Sequence, residues 1–148
     1  FNPHCLTHKK QITVMRKVNA IIEKASDGNY SIYMDADDMP YLVTGTGKTV
    51  EEARKVFEDG YEDIKKYYAE TGKPFEEVEF SYQYDIPSFL QEYAYLITLS
   101  GLERITGVNQ KQLGHYISGY RHPSAKTAKK IEDGIRRLGQ TFSSVKFA

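Results

Sequence analysis

Gln110, Lys111 and Gln112 stand in a row at the start of a helical stretch, with His115 one turn further on. A Gln amide pairs bidentately with adenine and a Lys ammonium donates to guanine. A helix that presents such groups can read base edges in the major groove of a duplex. Asn109 precedes them as a helix cap. Tyr120, Arg121, His122 and Lys126 follow, where the end of one helix and the start of the next would meet phosphates. The predicted DNA-binding set is Asn109, Gln110, Lys111, Gln112, His115, Tyr120, Arg121 and Lys126. The polar reading positions are not needed for an apolar face. The inward positions of this stretch are Leu102, Ile105, Val108, Leu113, Tyr116 and Ile117.

Leu102-x-x-Ile105-x-Gly107-Val108-x-x-x-x-Leu113 is the spacing of a helix-turn-helix. Gly107 supplies the left-handed residue between the helices, and Val108 plugs the core beneath the turn. The second helix of such a pair lies in the major groove and reads bases from its N-terminal residues. The start and stop signals predict four helices: Ser88 to Leu96, Ser100 to Thr106, Gln110 to Ser118, and Ala125 to about Leu138. Gly107, Gly119 and Gly139 end the last three. Asp85-Ile86-Pro87 reads as a hinge, since Pro breaks a strand.

The residues before the hinge have strand periodicity. Val18 to Ile22 is a β-branched run, Asp27-Gly28-Asn29 a hairpin turn, and Tyr30 to Met34 the returning strand. Tyr41 to Thr44 makes a third strand of an antiparallel meander. Thr49-x-x-Glu52 is a capping box that opens a helix. Val50, Ala53, Phe57, Tyr61, Ile64 and Tyr68 form its apolar face, and Gly72 and Pro74 end it. Val78, Phe80, Tyr82 and Tyr84 then alternate with Glu77, Glu79, Ser81 and Gln83, a half-buried strand with an acidic outer face. The order is β-β-β-α-β, an α+β layer followed by an all-α region.

Three other groupings could carry chemistry. Gly45-Thr46-Gly47-Lys48-Thr49 resembles a phosphate-binding loop, but Leu42 occupies the place of the required earlier glycine, and the segment reads as a strand-to-helix turn. Asp35, Asp37 and Asp38 share one short loop, where three acids more often form a solvated turn than a metal site. His4, Cys5 and His8 fall short of the four ligands of structural zinc. No metal or cofactor is expected.

The chain has 148 residues, 20 basic and 20 acidic, and a formal net charge of zero. The charge is unevenly spread: residues 1–14 carry +2, residues 15–92 carry −8 and residues 93–148 carry +6. An acidic half joined to a basic half predicts two domains whose partners differ in sign. Residues 1–14 lack a period and read as a leader or extension; residues 15–87 form one domain and 88–148 the other. The single cysteine excludes an internal disulfide framework and fits a reducing compartment. No apolar run is long enough to span a membrane. A cytoplasmic protein is expected.

These residues resemble the HicB antitoxin family, in the version with a C-terminal repressor-type helix-turn-helix. Asp38-Met39-Pro40 and Thr46 to Ala53 are similar to that family's loop and helix start. Ser100 to Tyr116, Ser118-Gly119, Arg121 to Ser124 and Lys129 to Glu132 are similar to its DNA-binding part. The resemblance covers about residues 15–147. It implies a degenerate, partial RNase H-like fold for the acidic domain. It also implies binding and inhibition of a HicA-type mRNA-cleaving toxin, repression of the chain's own operon, and no catalysis by this chain. The toxin-contacting residues are not identified by it. A homodimer or higher oligomer (dimer or tetramer) on operator DNA is expected, since paired half-sites match a two-fold axis. Two alternatives are a stand-alone repressor with a sensing or oligomerising acidic domain, and a nuclease using Asp35, Asp37 and Asp38.

Overall fold

The computed structural model describes residues 14–148. His4, Cys5 and His8 lie outside the described residues. The first half is a four-stranded sheet, β1 (Arg16–Lys24), β2 (Tyr30–Asp35), β3 (Thr44–Gly47) and β4 (Val78–Tyr84), with helix α1 (Val50–Glu70) between β3 and β4. The strand order is β3-β2-β1-β4. The first three strands are antiparallel, and β4 lies parallel to β1.

Alternation sets one face of this sheet inward. Val18, Ala20 and Ile22 of β1 and Tyr30, Ile32 and Met34 of β2 are buried. Ala20 stands opposite Met34 on one side and Tyr82 on the other. Helix α1 covers this face with Ala53 and Phe57, both fully buried. Its approach to β3 is so close that a Cβ on Gly45 would lie 2.3 Å from the Ala53 carbonyl oxygen, and one on Gly47 would lie 2.6 Å from the Ala53 nitrogen. The two glycines are there because backbone packs on backbone. The glycine-rich segment is a strand-to-helix turn, as its spacing predicts.

The capping box forms, with one change. Thr49 Oγ1 accepts from the Glu52 N–H at 3.1 Å, while the Glu52 carboxylate accepts from the N–H of Lys48 at 2.8 Å, one residue before the cap. The third strand is also displaced. Tyr41 leaves the ladder: its ring stacks on Phe75 at 4.9 Å and its hydroxyl donates to the Glu76 carbonyl at 2.7 Å. Pairing with β2 therefore runs from Thr44 to Gly47.

Four helices follow: α2 (Ile86–Glu92), α3 (Leu99–Thr106), α4 (Gln110–Ile117) and α5 (Ala125–Ser144). They enclose a second core of Leu90, Leu102, Val108, Leu113, Tyr116 and Ile131, distinct from the core under the sheet. Each half thus has a hydrophobic centre of its own. The predicted first helix is shorter than its expected span and ends at Glu92. The predicted stop at Gly139 is absent, and α5 continues to Ser144. An interior glycine costs a helix about 1 kcal/mol, which is not enough to end one.

The predicted hinge is a fastened joint. Asp85 donates its N–H to the Ile22 carbonyl at 2.9 Å, then caps α2 by accepting from the Ser88 N–H. Ser88 is buried; its hydroxyl donates to Asp85 at 2.9 Å and accepts from the Lys24 N–H at 2.8 Å. Lys24 Nζ reaches Glu92 at 3.3 Å. Pro87 sits in the first turn of α2, where a missing N–H costs nothing. Among the described residues no helix is long and apolar enough to cross a membrane.

Candidate nucleic-acid interface

The turn between α3 and α4 is built by four residues. Gly107 takes φ +71° and donates its N–H to the Glu103 carbonyl at 2.8 Å. Thr106 is buried; its hydroxyl donates to the Leu102 carbonyl at 2.6 Å and accepts from the Val108 N–H at 3.2 Å. Val108 is buried below the turn. Asn109 caps α4, its side-chain oxygen accepting from the Lys111 N–H at 2.8 Å. Leu113 and Tyr116 then anchor α4, and Gln91 of α2 donates to the Ile117 carbonyl at its far end, at 2.6 Å. Behind the pair lies α5. A Cβ on Gly134 would come within 2.4 Å of the Ile105 carbonyl oxygen, so α5 crosses α3 at backbone contact.

This frame leaves one face of α4 open. Gln110, Lys111 and Gln112 are exposed on its first turn, and His115 is half-buried one turn later. The His115 ring meets the edge of Tyr120 at 5.1 Å, and the Arg121 guanidinium lies 5.7 Å from the Tyr120 ring. Arg121 donates its backbone N–H to the His115 carbonyl at 3.2 Å, which ties the loop to the end of α4. Lys126 is exposed on the first turn of α5, whose N-cap is Ser124. The predicted residues therefore lie along α4, from its first turn to its last, in the loop after it and on the first turn of α5. Asn109 is the exception in role, since its side-chain oxygen is committed to capping.

The cations of this face are free. Among the described residues, Lys111, Arg121 and Lys126 have no carboxylate within ion-pair distance, whereas on α5 Lys129 pairs with Asp133 at 2.9 Å and Arg136 with Glu132 at 3.2 Å. Asp133 is held below the usual carboxylate range by that hydrogen bond from Lys129. A free lysine or arginine retains its charge for phosphate.

Glu103 is the residue that the sequence pattern missed. Its carboxylate accepts from the backbone N–H of Gln110 at 2.7 Å, placing a negative charge at the positive end of α4. The signal available was its position on α3, four residues before the left-handed glycine, which aims it back at the turn.

The acidic layer offers a second surface. Its uncovered face carries Lys17, Asn19, Glu23, Tyr33, Glu79 and Gln83, with the Tyr33 hydroxyl donating to Glu23 at 3.1 Å and Gln83 donating to Asn19 at 3.1 Å. Of the loop acids, Asp38 is tied to Arg16 at 2.7 Å, and that hydrogen bond lowers its pKa from the ordinary value. Among the described residues no group of three or more His, Cys, Asp or Glu is arranged to hold a metal ion.

A helix-turn-helix family model matches residues 94–137, which take in α3, α4 and the first two-thirds of α5. No curated protein and no solved structure matches the chain. With the geometry above, the match identifies this stretch as a DNA-binding helix-turn-helix and supports a role in transcriptional regulation.

Proposed function

We propose that the chain is a HicB-type antitoxin that binds a HicA-type mRNA-cleaving toxin through its acidic layer and represses its own operon through the helix-turn-helix. The observation that carries this reading is the division of charge between two separately cored halves: −8 over residues 15–92 and +6 over residues 93–148. An RNA-cleaving partner is expected to be basic, and the acidic half, whose acids are most numerous on α1, suits it by complementarity of charge. The sheet order, with a fourth strand parallel to the first and reached over a helix, supports a partial RNase H-like fold for that layer. Gln110, Lys111, Gln112 and His115 read bases, and Tyr120, Arg121 and Lys126 hold the backbone. The chain itself does no catalysis.

Co-expression with a small basic protein encoded beside it tests both halves. The expected result is rescue of growth and a complex that shifts duplex DNA from the chain's own upstream region. A complex-free chain that still binds that DNA would instead favour a stand-alone repressor. In that second reading the open groove of about 730 Å³ between β4 and α5, lined in part by Tyr82, Tyr84, Phe89 and Arg136, is where a small molecule would be sensed.

A further inference from the structure

We propose that the free edge of β4 takes up an extended peptide segment of another protein as a fifth strand, an uncharged segment whose apolar residues alternate with polar ones. The strand order β3-β2-β1-β4 leaves β4 unpaired on its far side. In a strand, the N–H and C=O of one residue point to the same side, and the side alternates along the chain. Two sets of hydrogen bonds fix that alternation here. The Asp85 N–H donates to the Ile22 carbonyl of β1 at 2.9 Å, so Ser81 and Gln83 face β1 as well. Val78 faces away: its N–H donates to the Tyr61 hydroxyl at 3.0 Å, and its carbonyl accepts from that hydroxyl at 3.4 Å. Phe80, Tyr82 and Tyr84 share the outward side of Val78, and among the described residues no partner meets their backbone groups.

The three form a row about 13 Å long. Natural sheets blunt such an edge with a short strand, Pro, Lys or a covering helix. The opposite edge follows that practice, since β3 has only four residues. β4 runs for seven residues without Pro or Lys, and Tyr61 closes it at Val78 alone. Helix α5 does not cover the remainder. It stands across an open groove of about 730 Å³, with Ser81, Tyr82, Gln83 and Tyr84 on one wall and Ala128 and Ile135 on the other.

The walls select the occupant. A small molecule has no use for a regular row of backbone groups, whereas main-chain pairing is how a sheet edge holds an added strand. With α5 as the far wall, the opening admits one segment rather than the edge of a second sheet. Tyr82 and Tyr84 lie on the side of the sheet that α1 covers, and the Tyr84 ring meets Phe89 at 5.3 Å; Ser81 and Gln83 lie on the other side. A neighbouring strand would set apolar residues beside the first pair and polar residues beside the second. The charges around the groove are spent on one another: Lys129 on Asp133 at 2.9 Å, Arg136 on Glu132 at 3.2 Å, and Arg54, stacked over Tyr82 at 3.8 Å, on Glu58 at 3.9 Å. An uncharged segment complements such walls.

This inference does not rest on the function proposed above, and it is measured without DNA or toxin. The probe is a pool of capped seven-residue peptides, the length of β4, alternating Val, Ile or Tyr with Thr, Ser or Gln. Amide exchange of the full chain is followed by NMR. In the free chain Phe80, Tyr82 and Tyr84 should exchange fast while Ser81 and Gln83 are protected. Adding the peptides should slow the first three by about tenfold or more, and fully N-methylated peptides should not. Ala128→Trp fills the groove from α5 without touching β4 and should abolish the effect. Ala125→Trp, at an exposed position, should do the same and stands in if Ala128→Trp does not fold. Slow exchange of all five amides in the free chain overturns the proposal, because the edge is then closed. So does protection that rises with chain concentration alone, which marks a second copy. Peptides that shift Tyr84 and Phe89 without protecting the three amides, or that leave the chain unchanged, overturn it too.

Discussion

The two halves use their cations in opposite ways. Among the described residues of the acidic layer and α2, six of nine Lys and Arg are spent on carboxylates of the same half: Arg16, Lys24, Arg54, Lys55, Lys65 and Lys66. From residue 93 onward only two of nine are, Lys129 and Arg136. Surface ion pairs stabilise a fold little. Their consequence here is a matter of what is left outward: surplus acids on α1 and, fewer, on the sheet, and unneutralised bases around α4. Net charge alone would hide this, because it sums to zero.

The sharpest way to break this division is a matched pair of glycine substitutions. Gly45→Ala forces a Cβ against the Ala53 carbonyl under the sheet, and Gly134→Ala forces one against the Ile105 carbonyl behind the helix-turn-helix. Each should cost about 3 kcal/mol, the upper end of overpacking, read by urea unfolding. Gly45→Ala should spare DNA binding, and Gly134→Ala should spare partner binding. Loss of both functions in either variant would show that the halves fold as one unit.

Smaller effects sharpen the DNA side. Gln110→Ala and Gln112→Ala should each cost about 1–3 kcal/mol of operator discrimination, measured by competition between the upstream duplex and scrambled duplex. Unchanged discrimination in both would move the reading face elsewhere. Arg121→Ala should weaken all sequences alike and lower the salt slope by about one. Glu103→Gln should raise affinity for any duplex by a few-fold, since a carboxylate leaves the end of α4 while an amide oxygen still accepts the Gln110 N–H. Reduced affinity would mean that Glu103 acts by holding the turn alone.

The smallest effect belongs to the acidic layer. Asp38 titrates below the ordinary carboxylate range because Arg16 donates to its charged form. Its contribution is present above the unfolded-state value and is lost as pH falls through the lowered folded value. Asp38→Asn should flatten that part of the acid unfolding curve at low salt. A curve identical to wild type would show the pair to be energetically silent.

Much of this architecture was legible in the residues. Val18, Ala20 and Ile22 alternate and are buried; Thr49 and Glu52 cap α1; Gly107 turns left-handed over a buried Val108. These are local rules, satisfied within a few residues. What escaped was decided at a distance. Tyr41 has a strand-like sequence around it but is captured by Phe75, Tyr61 and Tyr68, which the chain brings back later. Gly139 looks like a stop, yet it has ordinary helical backbone, and the apolar spacing continues to Phe142. Pro87 looks like a break because the groups that fasten its neighbours Asp85 and Ser88, the Ile22 carbonyl and the Lys24 N–H, lie more than sixty residues earlier. The eight DNA-binding candidates were read from spacing and residue type alone, whereas Glu103 needed the turn's three-dimensional path.

The joint at Asp85 and Ser88 changes what regulation would have to look like. A flexible tether would let each half meet its target independently, with only local concentration shared between them. Here the first sheet strand is bolted to the helix that braces α4. Whatever grips the sheet also fixes the angle at which the reading helix is offered to a groove. Control of the operator would then be exercised through orientation, as a key is turned by its bow.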